Sequence, residues 1–139
     1  MGLFTKSKHT KKILFACIEN SGRSQMAEAF FRKYAPNGYE AISGGTEPKS
    51  YINPVAIEVM KEIGIDMTKQ KAKTISENMI RDSHMAVNMG CMTQNICPTS
   101  IVPNMIDWNI EDPKDKPIEK VREIRDQIEH KVKELVAQM

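Results

Sequence analysis

An apolar run, Ile13-Leu14-Phe15-Ala16, leads directly into Cys17-Ile18-Glu19-Asn20-Ser21-Gly22-Arg23-Ser24, and a helical pattern from Gln25 to Tyr34 follows without a spacer. A strand that turns into a helix across so short a loop constrains the fold more than any other feature of the chain. The backbone N–H groups of such a loop can curl around the oxygens of a tetrahedral anion, and the helix start adds the positive end of its dipole. Arg23 can hold two of those oxygens with its planar fork, and Gly22 permits close backbone approach. The same positive field favours a thiolate at Cys17. The pattern therefore predicts Cys17 as a nucleophile aimed at a phosphate-like group. Ile18, Glu19, Asn20, Ser21, Gly22, Arg23 and Ser24 form the predicted oxyanion-binding loop. The bland reading of these residues is a small buried Cys at a strand end and an unrelated surface Arg. The strand before the loop, and Ser24 as an expected N-cap of the helix after it, favour the functional reading.

Further along, strands and helices alternate. Lys12–Ala16 reads as a strand apolar on both faces, hence central in a parallel sheet. Met26, Ala27, Phe30, Phe31 and Tyr34 form a helical stripe ended by Pro36-Asn37-Gly38, and Tyr39–Ser43 is a second strand closed by Gly44-Gly45. Asn53-Pro54 opens a helix with core face Val55, Val59, Met60 and Ile63, stopped at Gly64. Ser76 caps a short helix through Ile80, His84–Met89 is a third strand broken at Gly90, and Asn104–Asp107 is a fourth after a 98–103 loop. Pro117 begins the last helix, with stripe Ile118, Val121, Ile124, Ile128, Val132 and Leu135. This alternation predicts an α/β fold, a four-stranded parallel sheet with helices on both faces, in three layers. Ligands of such sheets gather at the carboxyl ends of the strands. Cys17, Cys91 and Asp112 each follow a strand end, so all three are expected on one edge.

At 139 residues the chain suits one core, expected over 11–139, and 40% apolar with 27% charged residues is ordinary for a folded protein. Lys6, Lys8, Lys11 and Lys12 have no acidic neighbours among residues 1–12, so removing them turns the net +2 into −2 for the remainder. The basic excess thus belongs to an expected flexible leader, 1–10. With 6% aromatic residues and no basic cluster in the body, nucleic-acid binding is not expected. No apolar stretch is long enough for a membrane span, and none resembles an export signal. Three cysteines without such a signal point to a reducing, cytoplasmic setting where thiols are more often reactive than structural.

Cys91 and Cys97 stand six apart on an expected loop. Three cysteines on one edge suggest sequential exchange: Cys17 attacks the substrate, Cys91 attacks Cys17 or its adduct, and Cys97 takes over the disulfide. The alternatives are ordinary buried thiols or, with His84, a metal site. Tight metal-ligand spacing is missing, so no metal and no cofactor is expected. Asp112, in Asp112-Pro113, is a candidate acid–base group across from the thiolate, or else only a turn former. Asn20 is expected to shape the loop, Ser24 to donate its hydroxyl to the thiolate, and Glu19 to point outward. Neither His9 nor His130 looks catalytic, which disfavours a Cys–His dyad.

Cys17–Ser24 with Gln25-Met26-Ala27-Glu28-Ala29-Phe30, the block Asn53–Asp66, and Asp112-Pro113 followed by Lys116-Pro117-Ile118-Glu119 together resemble the arsenate reductases built on the low-molecular-weight tyrosine phosphatase fold. The resemblance runs from about Lys12 to near the C-terminus. It implies reduction of arsenate to arsenite, with phosphate or sulfate as competing oxyanions and thioredoxin or a similar dithiol protein as reductant. It further implies Cys17 as nucleophile, Arg23 and Ser24 as partners of oxyanion and thiolate, Asp112 as acid–base group, and Cys91 and Cys97 as exchange cysteines. A phosphatase of the same fold, hydrolysing phosphomonoesters through a phosphocysteine, is the alternative. Phosphatases of this fold usually carry an aromatic residue just after Asp-Pro. Lys114 stands there instead, and an aromatic wall is not expected.

Overall fold

The computed structural model describes residues 10–90 and 104–139. Its elements, in order, are β1 (Lys11–Cys17), α1 (Arg23–Tyr34), β2 (Tyr39–Gly45), α2 (Pro54–Lys61), α3 (Glu77–Asp82), β3 (Ser83–Asn88), β4 (Met105–Asp107) and α4 (Ile118–Val136). The four strands form one sheet in the order β2-β1-β3-β4, and every pairing is parallel. β1 is an inner strand, as its two-faced apolar run requires. Ile13, Leu14, Phe15 and Ala16 are fully buried.

The pleat divides β1 between two apolar layers. Ile13, Phe15 and Cys17 face the larger core, with Met26, Phe30 and Phe31 of α1, Val59 and Met60 of α2, and Val121, Ile124 and Ile128 of α4. Leu14 and Ala86 face the opposite side, where Ile42, Met79, Ile80 and Met105 pack against them. The helices thus cover both faces. Phe15 meets the rings of Phe31 and Trp108, each with centroids 5.8 Å away. Trp108 and Ile110 are buried just after β4 and fix the start of the segment that carries Asp112.

Local signals account for the helix ends. Asn53 Oδ1 accepts from Val55 N at 2.9 Å and Ala56 N at 3.4 Å, with Pro54 in the first turn. Ser76 Oγ accepts from Met79 N at 3.1 Å, and Gly64 takes φ +83° past the end of α2. Three expectations need correction. Ser24 is not an N-cap: α1 starts at Arg23, with Gly22 at the cap position and no side-chain cap bond. β2 does not close before the glycines but runs through Gly44 and Gly45. The α4 stripe also includes Arg125, which is buried because its Nη1 donates to Val59 O at 2.8 Å and Glu62 Oε1 at 3.0 Å. The 1–9 part of the expected leader, and the 98–103 loop, lie outside the described residues. No helix among the described residues is long and apolar enough to cross a membrane.

α1 and α4 are also tied by the Tyr34 hydroxyl, which donates to Glu129 Oε2 at 2.6 Å. That bond, with burial and the neighbouring negative charge, raises Tyr34 from 10.0 to about 12. Because the protonated phenol is the favoured form, the contribution is full below about pH 10. It is lost as pH climbs through the raised value near 12. Tyr34→Phe is expected to lower stability by about 0.5–1 kcal/mol, the pair being partly open to water. In urea titrations, the gap between wild type and variant should be present at pH 8 and shrink above pH 10.

Candidate active site

β1 leaves the sheet at Cys17, opposite Gly45 of β2. Residues 18–22 then reach α1 with every carbonyl from Cys17 to Gly22 accepting a hydrogen bond from outside the loop. Thr46 N donates to Cys17 O at 3.3 Å, Glu47 N to Ile18 O at 2.8 Å, Lys49 N to Glu19 O at 3.0 Å and Asn53 N to Ser21 O at 2.8 Å. Gln25 Nε2 donates to Asn20 O at 3.0 Å, and Met26 N to Gly22 O at 3.0 Å. In a trans peptide the following N–H points opposite to the carbonyl. Turning these carbonyls outward therefore turns the N–H groups of residues 18–23 inward, which makes an anion nest beside a helix start. A Cβ on Gly45 would stand 2.5 Å from Ile18 O and 3.0 Å from Asn20 N. The second glycine is thus where β2 presses against the loop, rather than a strand terminator.

Cys17 Sγ is buried at the floor of this nest. It lies 2.8 Å from Ser24 Oγ and accepts from Asn20 N at 3.2 Å. Asn20 is fully buried and sits at φ +50°, the left-handed region that a short polar side chain tolerates. Its Nδ2 donates to Ser24 Oγ at 2.8 Å. The hydroxyl expected to cap α1 is instead committed to this cluster.

Arg23 extends from the first turn of α1 across the mouth of the loop. Its Nη1 donates to Ile110 O at 2.9 Å, and its Nη2 is 3.6 Å from Asp112 Oδ2. A guanidinium has five N–H donors in a fixed fork, so these two contacts orient it and leave donors for an oxyanion. A Cβ on Gly90, which has φ +125°, would stand 2.5 Å from Arg23 Nη1. Gly90, two residues past β3, thus packs directly on the guanidinium. Asp112 is brought to the site from the far side of the sheet, with its carboxylate half exposed and Oδ1 accepting from Lys114 N at 3.0 Å. Pro113 lies on the loop, its Cγ 2.9 Å from where a Gly22 Cβ would be.

Glu19 turns outward to the rim and pairs with Lys114 at 3.2 Å and Lys49 at 3.8 Å. Its carboxylate raises Lys114 above the ordinary lysine value. Rim residues Glu19, Ser21, Tyr51, Asn53, Pro113 and Lys114 line a cleft of about 240 Å³. Tyr51, an exposed large side chain, puts one ring on this rim, while the position after Asp-Pro is held by Lys114. The ring comes from the β2–α2 connection. Nothing local to Tyr51 signals this, whereas the buried Gln25 was at least adjacent to the motif. His130 is exposed on α4 beside Glu134. Cys91, Cys97 and His9 lie outside the described residues.

With this geometry in view, comparison with known proteins gives a consistent result. Residues 12–139 match the low molecular weight phosphotyrosine protein phosphatase family. An arsenate reductase of Staphylococcus haemolyticus is 38% identical over 120 residues, covering 85% of this chain and 90% of that protein. An arsenate reductase solved in its phosphate-binding state superposes with a TM-score of 0.82 at 34% identity, covering 93% of this chain and 98% of the other. A thioredoxin-dependent arsenate reductase of Corynebacterium glutamicum superposes with a TM-score of 0.80 at 30% identity, over 99% of this chain and 65% of that longer one. The chain belongs to the low molecular weight phosphotyrosine protein phosphatase family, and within it to the arsenate reductases.

Proposed function

We propose that this protein reduces arsenate to arsenite through Cys17, with electrons relayed by Cys91 and Cys97 to a thioredoxin-like dithiol protein. The observation that carries the reading is the nest itself. Six outward carbonyls leave inward N–H groups around a buried sulfur, and Arg23 is held at the mouth. A tetrahedral oxyanion is the ligand whose charge and shape match that arrangement, and the arsenate reductases named above support arsenate as the substrate.

In the proposed sequence, the Cys17 thiolate attacks the arsenic of arsenate, and one oxygen leaves as water after protonation. Asp112 is the proposed proton donor, held near the mouth by Arg23. Cys91 as thiolate then attacks Cys17 Sγ. The S–As bond breaks with its electron pair going to arsenic, so arsenic(V) becomes arsenic(III) and a Cys17–Cys91 disulfide forms. Cys97 attacks Cys91, releases the Cys17 thiolate and forms a Cys91–Cys97 disulfide, which an external dithiol reduces. Gly90 supports this order because it places the chain immediately before Cys91 against Arg23. The thioredoxin-dependent relative supports the class of reductant.

With arsenate, thioredoxin, thioredoxin reductase and NADPH, the wild type is expected to turn over. Cys17→Ser should lower kcat at least roughly 10³-fold. Cys91→Ser should release no arsenite, and Cys97→Ser about one equivalent per protein before stopping. Full hydrolysis of an aryl phosphate without arsenate turnover would instead establish the phosphatase. Gly90→Ala forces a Cβ onto Arg23 at a backbone angle that disfavours side chains. It should weaken sulfate binding, read by isothermal titration, by about tenfold through loss of the oriented fork.

A further inference from the structure

Gln25 is a fully buried carboxamide one residue beyond the nest, and its partners come from a distant part of the chain. Its Nε2 lies 2.9 Å from Asn20 Oδ1, 3.0 Å from Asn20 O and 2.9 Å from Lys71 O. Gln70 Nε2 donates to Gln25 Oε1 at 2.6 Å and to Gln25 O at 3.1 Å. Lys73 N donates to Asn20 Oδ1 at 2.8 Å. The strap 70–73 is itself pinned to the sheet edge: Gly45 N donates to Lys73 O at 2.8 Å, and Lys73 Nζ reaches Ser43 Oγ at 3.4 Å and pairs with Glu28 at 3.8 Å.

The Lys73 contact fixes the direction of the whole chain of bonds. A backbone N–H can only donate, so the Asn20 atom facing it is the carbonyl oxygen, and the amino group must face Ser24. Ser24 Oγ accepts from that amino group at 2.8 Å, which leaves the hydroxyl hydrogen for Cys17 Sγ, also at 2.8 Å. A donor aimed at sulfur favours the thiolate over the thiol. We infer that Gln25 and the strap Gln70–Lys73 are positioning elements for the nucleophile, locking the left-handed Asn20 so that Ser24 donates to Cys17. The inference rests on Cys17 being the attacking group, and it assigns roles to residues that touch neither substrate nor sulfur.

The test uses full-length protein carrying Cys91→Ser and Cys97→Ser, in which Cys17 is the sole thiol of the original three. The rate of alkylation by iodoacetamide is followed against pH, alongside thermal unfolding. Gln25→Met keeps length and burial but removes every bond to Asn20. It should raise the pH of half-maximal alkylation by about one unit, which leaves about tenfold less thiolate well below that midpoint. Gln70→Met, which leaves Gln25 in place, should shift it in the same direction by less. Val132→Ala, a cavity in the α4 core, should lower Tm without moving the midpoint. In the three-cysteine protein, Gln25→Met should move the acid limb of the kcat–pH profile for arsenate up by the same amount as the alkylation midpoint. An unchanged midpoint in both glutamine variants, or an equal shift in Val132→Ala, overturns the inference and leaves the Cys17 reading intact. Arsenate turnover surviving in Cys17→Ser would instead overturn both.

Discussion

The outward turn of six consecutive carbonyls, Cys17 to Gly22, is the constraint on which the rest of the site depends. None of these bonds lies in a helix or sheet ladder apart from the first turn of α1. Four come from the backbone of 46–53, so the nest is shaped by the connection between β2 and α2 rather than by the motif alone. The ties extend into the fold. Asn53 uses its backbone N–H on Ser21 and its side chain to cap α2. Gly45 ends β2 and touches the loop in the same step. A one-residue shift of the β2 edge that brought Thr46 to this place would press a side chain on the loop and leave several buried carbonyls unpaired, an arrangement that costs about 1–3 kcal/mol per group.

Much of this was legible in the sequence, for reasons that are local. The two-faced apolar run of β1, the Asn53-Pro54 start, the Ser76 cap and the Gly64 stop each act within a few residues, so propensity and pattern suffice to read them. The nest could be expected because strand, loop and helix are contiguous. Two of the misreadings, at Ser24 and Arg125, share one cause, which is that a polar side chain takes its partner from tertiary structure. Ser24 follows the loop as an N-cap would, yet its hydroxyl is drawn to Cys17 and Asn20. Arg125 interrupts no pattern, but Val59 O and Glu62 draw it inward. Gln25 and Gln70 are 45 positions apart, and no spacing rule joins them.

Charge around the mouth is arranged so that a loop containing a glutamate can still attract an anion. Glu19 is compensated twice, by Lys49 and Lys114, which leaves Arg23 as the charge directed toward the nest. Asp112 in turn sits against Arg23, half exposed. That contact sets a carboxylate beside the guanidinium at the mouth and leaves it open to water. Lys114 occupies the position where phosphatases of the fold usually carry an aromatic ring, and Tyr51 supplies a ring from another direction. The rim is therefore open and mixed in character.

The same nest can start two chemistries, and what reaches the adduct next decides between them. Attack by water at the central atom returns an oxyanion without change of oxidation state. Attack by a thiol at Cys17 Sγ removes the sulfur and leaves its bonding pair on arsenic. The choice thus depends on delivering a second thiolate to the sulfur side of the bond while holding the oxygens still. In this protein the oxygens would be held by amides whose carbonyls are anchored to the β2 exit and to α1. The chain carrying Cys91 leaves β3, on the other side of β1 from β2, with Gly90 against Arg23. The two proposed tasks thus fall on opposite sides of the central strand, since among the described residues every carbonyl of the nest is held from α1 or from the β2 exit, and they meet at Arg23, where Gly90 packs.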